Sequence, residues 1–169
     1  PLMTILETGK SNAFVNNFLD MFEKGGLLPV WELAANETFC MIGYHAVSVI
    51  ADAWVKGIRD YDPEHALRAM MHSASQDHFG LKAYREFGHI PGNLEHESIS
   101  KTLEYAYNDW CIAQFALQLG KHDIYREYIQ RAQYYKNIFD PRTGFMRPRI
   151  NASWITPFDP TRVDWHFTE

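Results

Sequence analysis

A chain of 169 residues that is 46% hydrophobic and 22% charged has enough apolar material for one sizeable core, which predicts a single domain or a large piece of one. A formal net charge of −5 leaves no basic surface for phosphate neutralisation and argues against nucleic-acid binding; charges also interrupt every apolar stretch well before a bilayer is spanned. The 15% aromatic fraction suits carbohydrate-binding clefts, although thick cores and interfaces produce it too.

The opening PLMTILETGK carries no visible export signal, which a processed or truncated start would hide. The first helix is predicted from Ser11, as N-cap, to Lys24, with Phe14, Val15, Phe18, Leu19 and Phe22 on one face and Gly25-Gly26 closing it. A second helix, within ETFCMIGYHAVSVIADAWVKG, is apolar around most of its circumference; only His45, Ser48, Asp52 and Lys56 form a polar stripe. Asp62 caps a third helix whose first turn takes Pro63. After a loop rich in Gly, His and Pro, from about Gly88 to Glu97, the fourth helix covers Ser98 to Gly120 with a wide apolar arc. The fifth runs from about His122 to Ile138 and is apolar on one side.

The order is exposed, buried, exposed, buried, exposed, as expected when successive helices alternate between outer and inner rings. The predicted fold is all-α: a partial α/α toroid, five helices of a larger six-hairpin barrel. Residues 1–169 are then a fragment of one toroid domain, whose apolar inner wall requires the remainder of its own polypeptide as partner. The last thirty residues are rich in proline, and GFMRPR and SWITPF read as short extended, hairpin-like segments.

Asp109 falls within the apolar arc of the fourth helix, where an unpaired carboxylate is costly; it either braces a neighbouring cation or amide or contacts substrate. Glu37 and His45, near a helix-end mouth, are either sugar-hydroxyl ligands or a helix-start acid and a satisfied core histidine. Asp52 and Lys56 read as an i, i+4 ion pair. Cys40 and Cys111 lack metal-ligand spacing and are expected to be two buried free thiols. No HExxH, Gly-rich phosphate loop or GxSxG elbow is present, which argues against zinc, nucleotide and serine-hydrolase chemistry. What remains is carboxylate chemistry, for which glycoside hydrolysis by an acid and a base is the natural reaction; spacing does not choose the pair.

The blocks GGLLPVWELAANETFCMIGYHAVSVIADAWVKGI, SKTLEYAYNDWCIAQFALQLGK, FDPRTGFMRPR, PFDP and the terminal FTE occur in an order that resembles glycoside hydrolase family 92. That family comprises exo-acting α-mannosidases, frequently α-1,2-specific. The resemblance implies a catalytic α/α toroid, an N-terminal β-sandwich absent here, and calcium-dependent hydrolysis of mannose-containing glycans with inversion. It matches Glu169 to the general acid and puts the general base, an aspartate, beyond this sequence. Trp31, Glu37 and His45 become expected parts of the substrate-facing wall, the calcium ligands stay unassigned, and a periplasmic or secreted location is implied. The competing expectation is a helical carbohydrate-binding or interaction module without catalysis.

Overall fold

A computed structural model of the chain describes residues 2–34 and 36–167. Among these, seven α-helices carry most of the regular structure. A short α1 (Met3–Leu6) leads into α2 (Thr8–Gly25), which starts three residues before the predicted N-cap. Ser11 therefore lies inside the helix, buried, with its hydroxyl donating to the Glu7 carbonyl. Gly26, at φ 83°, ends α2 and returns its N–H to the Phe22 carbonyl, a left-handed cap that needs no Cβ.

The second predicted helix is much shorter than its apolar run. A hairpin, β1 (Glu32–Leu33) against β2 (Asn36–Glu37), leads into it, its first part is irregular chain, and α3 spans only Ala46–Val55. The left-handed backbone of Phe39 (φ 51°) and Gly43 (φ 82°) excludes a helix there, whatever the hydrophobic spacing suggests. By contrast, α4 (Pro63–Ser75) begins as its sequence dictates: the Asp62 carboxylate accepts N–H bonds from Glu64 and His65, and Pro63 occupies the first turn. A seven-residue helix that periodicity did not reveal, α5 (Leu81–Phe87), is bounded by left-handed Gly80 and Gly88.

The long α6 (Ser98–Gln118) is the spine of the fold and packs against α3, α4 and α7 (His122–Arg131). The fifth predicted helix breaks after Arg131 and resumes as a 3-10 turn over Tyr134–Ile138. Two antiparallel hairpins follow, β3 (Phe139–Asp140) with β4 (Phe145–Met146) and β5 (Arg149–Ile150) with β6 (Ser153–Trp154), close to the predicted extended segments. Asp140 anchors the first of them, accepting from the Arg147 guanidinium at 2.7 Å and from the Arg142 backbone N–H at 3.0 Å.

One core joins Val15, Ile50, Met70, Tyr84, Ile112 and Phe115, so every helix from α2 to α6 contributes to it. α3 and α6 are nevertheless open on one side: Val55, Tyr107 and Trp110 are 60%, 50% and 46% exposed. The thiols also differ from expectation. Both are free, but only Cys111 is buried, because Cys40 falls in the irregular segment after β2 instead of in a helix. No described helix is long and apolar enough to cross a membrane.

Candidate functional site

Asp109 is 0% exposed, and both of its carboxylate oxygens are occupied. Arg131 donates through Nε at 2.9 Å and Nη2 at 3.0 Å, the Tyr44 hydroxyl at 2.7 Å and the Tyr84 hydroxyl at 3.0 Å. Burial pushes the Asp109 carboxyl up to about 6, against the opposing pull of Arg131 and the two tyrosines. The carboxylate remains ionised at neutral pH and clamps α6 to α7. Fully buried, it uses its oxygens to brace α6 against α7, α5 and the loop before α3, the bracing alternative of the two.

Glu37 is similarly committed, though near the surface. It accepts N–H bonds from Val30 (2.6 Å), Trp31 (3.0 Å) and Phe39 (2.7 Å), tying both flanks of the β1–β2 hairpin together. Partial burial raises its pKa, but these backbone donors outweigh that effect and hold it below the ordinary value. Its carboxylate therefore positions Trp31 instead of standing free for sugar hydroxyls. Trp31 itself is half exposed and shares an open recess with His45, Phe18, Pro29 and Val49. Two of the sequence candidates, Trp31 and His45, thus line one recess, Glu37 holds the Trp31 backbone, and Asp109 is buried elsewhere in the core.

On the other side of Val30 lies a more enclosed cavity of about 180 Å³. At ~30 Å³ per water it has room for roughly six waters, the scale of one monosaccharide. Three chain segments meet there, and each contributes a non-glycine residue in left-handed conformation: Phe39 (φ 51°), Phe79 (φ 52°) and Glu97 (φ 53°). Such backbone costs on the order of 1 to 3 kcal/mol per residue and concentrates where function requires it. The Phe39 and Phe79 rings are 5.9 Å apart, and the His78 ring meets Phe79 edge-on at 4.6 Å. Desolvation lowers the His78 pKa despite nearby Asp77, which favours a neutral imidazole able both to donate and to accept.

The polar wall is a charge cluster. Lys101, with its side chain 5% exposed, donates to Glu95 at 2.9 Å, lies 3.6 Å from Glu97, and places its ammonium 5.6 Å from the centre of the Phe79 ring. His96 lies between the same two acids. Aromatic rings and fixed polar groups thus share the lining of this cavity, the combination that suits a pyranose, with its C–H face and its rim of hydroxyls. None of Phe39, Phe79, Glu97 or Lys101 was singled out from the sequence. The one available signal was the Gly-, His- and Pro-rich loop from Gly88 to Glu97, which forms part of this wall.

The C-terminal tail docks on that same loop. Glu97 N–H donates to the Trp165 carbonyl at 2.7 Å and Ile99 N–H to the His166 carbonyl at 3.0 Å, while the His166 ring meets the Ser98 hydroxyl at 3.1 Å. Gly92 makes the approach possible, since a Cβ there would lie 2.7 Å from the His166 ring. Glu169, the predicted acid, lies outside the described residues.

A family model described as the glycosyl hydrolase family 92 catalytic domain matches residues 1–169. A family GH92 α-mannosidase of Bacteroides thetaiotaomicron superposes with a TM-score of 0.92 at 44% identity, over 96% of this chain and 23% of that one. A family GH92 inverting mannosidase from the same species gives a TM-score of 0.90 at 38% identity, over 95% of this chain and 23% of that one. An uncharacterized secreted glycosidase of Arthroderma benhamiae is 30% identical across 80% of this chain and 21% of its own length. The chain thus spans only about a fifth to a quarter of the relatives it matches. With the family model matched from end to end and the backbone shared at this identity, the chain belongs to glycosyl hydrolase family 92.

Proposed function

We propose that the polypeptide carrying this chain is an exo-acting α-mannosidase that removes terminal mannose from glycans with inversion, with α-1,2 linkages as the preferred substrate. Support comes from the family membership, from relatives described as α-mannosidases, and from one such relative described in complex with mannoimidazole. The observation that carries the reading to this chain is local. The tail leading to Glu169 docks on the loop that lines a monosaccharide-sized cavity, whose lining includes three non-glycine residues in left-handed conformation.

In this reading Glu169 protonates the glycosidic oxygen as mannose departs, while a base elsewhere in the whole polypeptide activates water on the opposite face. The Phe39 and Phe79 rings cover the apolar face of the sugar; Trp31 and His45 belong to the neighbouring wall. A larger α/α toroid, completed by the rest of the polypeptide and joined to a β-sandwich, is part of the same proposal, as is export to the periplasm or the medium.

Calcium dependence is also proposed from the family, but the described residues do not assemble a shell for it. Among them no group of three or more His, Cys, Asp or Glu side chains is placed to hold a metal. Glu97, the acid in the described cavity lining, is engaged by Lys101, as is Glu95, and Glu37 is engaged by backbone amides.

The test uses the whole polypeptide and mannosides with good and poor leaving groups. Glu169→Gln is expected to lower turnover about 10²- to 10⁴-fold for poor leaving groups, the range of general-acid catalysis, and much less for activated aryl mannosides. Near-normal turnover on both would reject the acid role. Absence of any mannoside hydrolysis by the unaltered polypeptide, with and without added calcium, would reject the mannosidase reading itself.

A further inference from the structure

We propose that Asn108 is a positioning residue that holds His45 in one tautomer, with Nδ1 unprotonated and the proton on Nε2. Asn108 is 0% exposed on α6, and two neighbouring groups of a distant loop fix its amide. The Tyr44 backbone N–H donates to Oδ1 at 2.8 Å, so the other amide atom must be the NH2 group. That nitrogen lies 3.4 Å from His45 Nδ1. An amide NH2 can only donate; a protonated Nδ1 would face it donor to donor. The bond therefore selects the tautomer in which Nδ1 accepts and Nε2 carries the hydrogen.

The loop is shaped to keep the ring there. Gly43 has φ +82°, and a Cβ at that position would lie 2.6 Å from His45 Cε1 and 3.1 Å from Asn108 Oδ1. Both the ring and the amide are thus seated against bare glycine backbone. On the far side, His45 Nε2 is 3.6 Å from Glu104 Oε2, an acceptor facing the proton that this tautomer puts there. Both side chains are about a third exposed, so this contact is weakened by solvent, and the buried amide governs the ring. The three consecutive residues Gly43, Tyr44 and His45 are clamped by one side chain from another element. The result is one fixed tautomer for a ring that lines the Trp31 recess.

The consequence for substrate rests on the reading of that recess as a substrate-facing wall; the tautomer does not. The experiment separates them. The whole polypeptide is labelled with 15N-histidine, His45→Gln identifies the His45 signals, and long-range 1H–15N correlations report which ring nitrogen is protonated. The expected result is an unprotonated Nδ1 and a protonated Nε2 in the unaltered protein. The tautomer is read in the unaltered protein, the His45→Gln variant serving only to assign the signals, and a protonated Nδ1 overturns the proposal.

Asn108→Asp keeps the acceptor for Tyr44 N–H but removes the donor facing Nδ1. It is expected to put a proton on Nδ1 and to raise KM for a mannoside roughly two- to tenfold, the value of about one hydrogen bond, with a smaller change in kcat. Glu104→Gln is expected to leave the tautomer as it is. A tautomer that follows Glu104→Gln and not Asn108→Asp overturns the proposal. A switched tautomer with unchanged KM also overturns the positioning role, while continued mannoside turnover in that variant leaves the mannosidase reading standing.

Discussion

At Asp109 the decisive quantity is the cost of an uncompensated buried charge. The sequence showed that this carboxylate lies among apolar neighbours on α6 and therefore needs a partner. It did not show that Arg131, two tyrosine hydroxyls and complete burial use both of its oxygens. Those partners come from α7, from α5 and from the loop before α3, and only folding brings them together. Asp109→Ala would leave Arg131 charged in the core with the Ala74 carbonyl and a 3.9 Å approach to the exposed Glu127 but without its buried carboxylate, at an expected cost of about 3 to 5 kcal/mol. Against a typical total of ~5 to 15 kcal/mol that is a large loss. It is measured as a lowered denaturant midpoint, and Asp109→Asn, which keeps an acceptor for the tyrosines, should lose less. An unchanged midpoint combined with a raised KM would instead restore direct substrate contact.

At the scale of elements, local signals were legible where local chemistry decides. Asp62-Pro63 announced the start of α4, and the long apolar arc announced α6. The apolar stretch before α3 misled because hydrophobic spacing there records burial against other segments, while Glu37 and two left-handed residues impose a hairpin and loop. The cavity was illegible for the same reason: Phe39, Phe79 and Glu97 stand in three segments with no shared periodicity. Trp31 and His45 came from one short stretch of sequence, and the fold places both on one recess. The hairpin carries its own pH dependence. Glu37 has a lowered pKa when folded, so its contribution is present above the unfolded value near 4.5 and is lost as pH falls through the lower, folded value. Trp31 fluorescence, taken as the difference from Trp31→Phe, should be steady from pH 7 to about 5 and change below the unfolded carboxylate pKa. Glu37→Gln should remove this acid step; a step that persists would assign it to another carboxylate.

At the scale of the molecule, the uneven coverage of α3 and α6 matters most. Their inner sides hold the core, yet Val55, Tyr107, Trp110 and Leu117 remain well exposed along the opposite side. Tyr107 and Trp110 stack at 6.3 Å and face a recess with Ala51 and Gln114 between the two helices. Contiguous apolar surface of this kind is uncommon on monomeric proteins, and covering it would release about 25 cal/mol for each Å² removed from water. Helices that are apolar nearly all round are usually buried on more than one side, which is the expectation this face puts to the test. We therefore predict that the 169-residue chain prepared alone folds its helices but self-associates at tens of micromolar. Trp110→Ser combined with Tyr107→Ser should shift sedimentation velocity profiles toward monomer without reducing the far-ultraviolet helical signal. In the whole polypeptide the same pair should lower the thermal midpoint instead, since there the rings would leave cavities in a packed interface. A chain that is monodisperse alone, together with a whole polypeptide indifferent to both substitutions, would show that this face is solvated and would favour a self-contained helical module over a segment of a larger barrel.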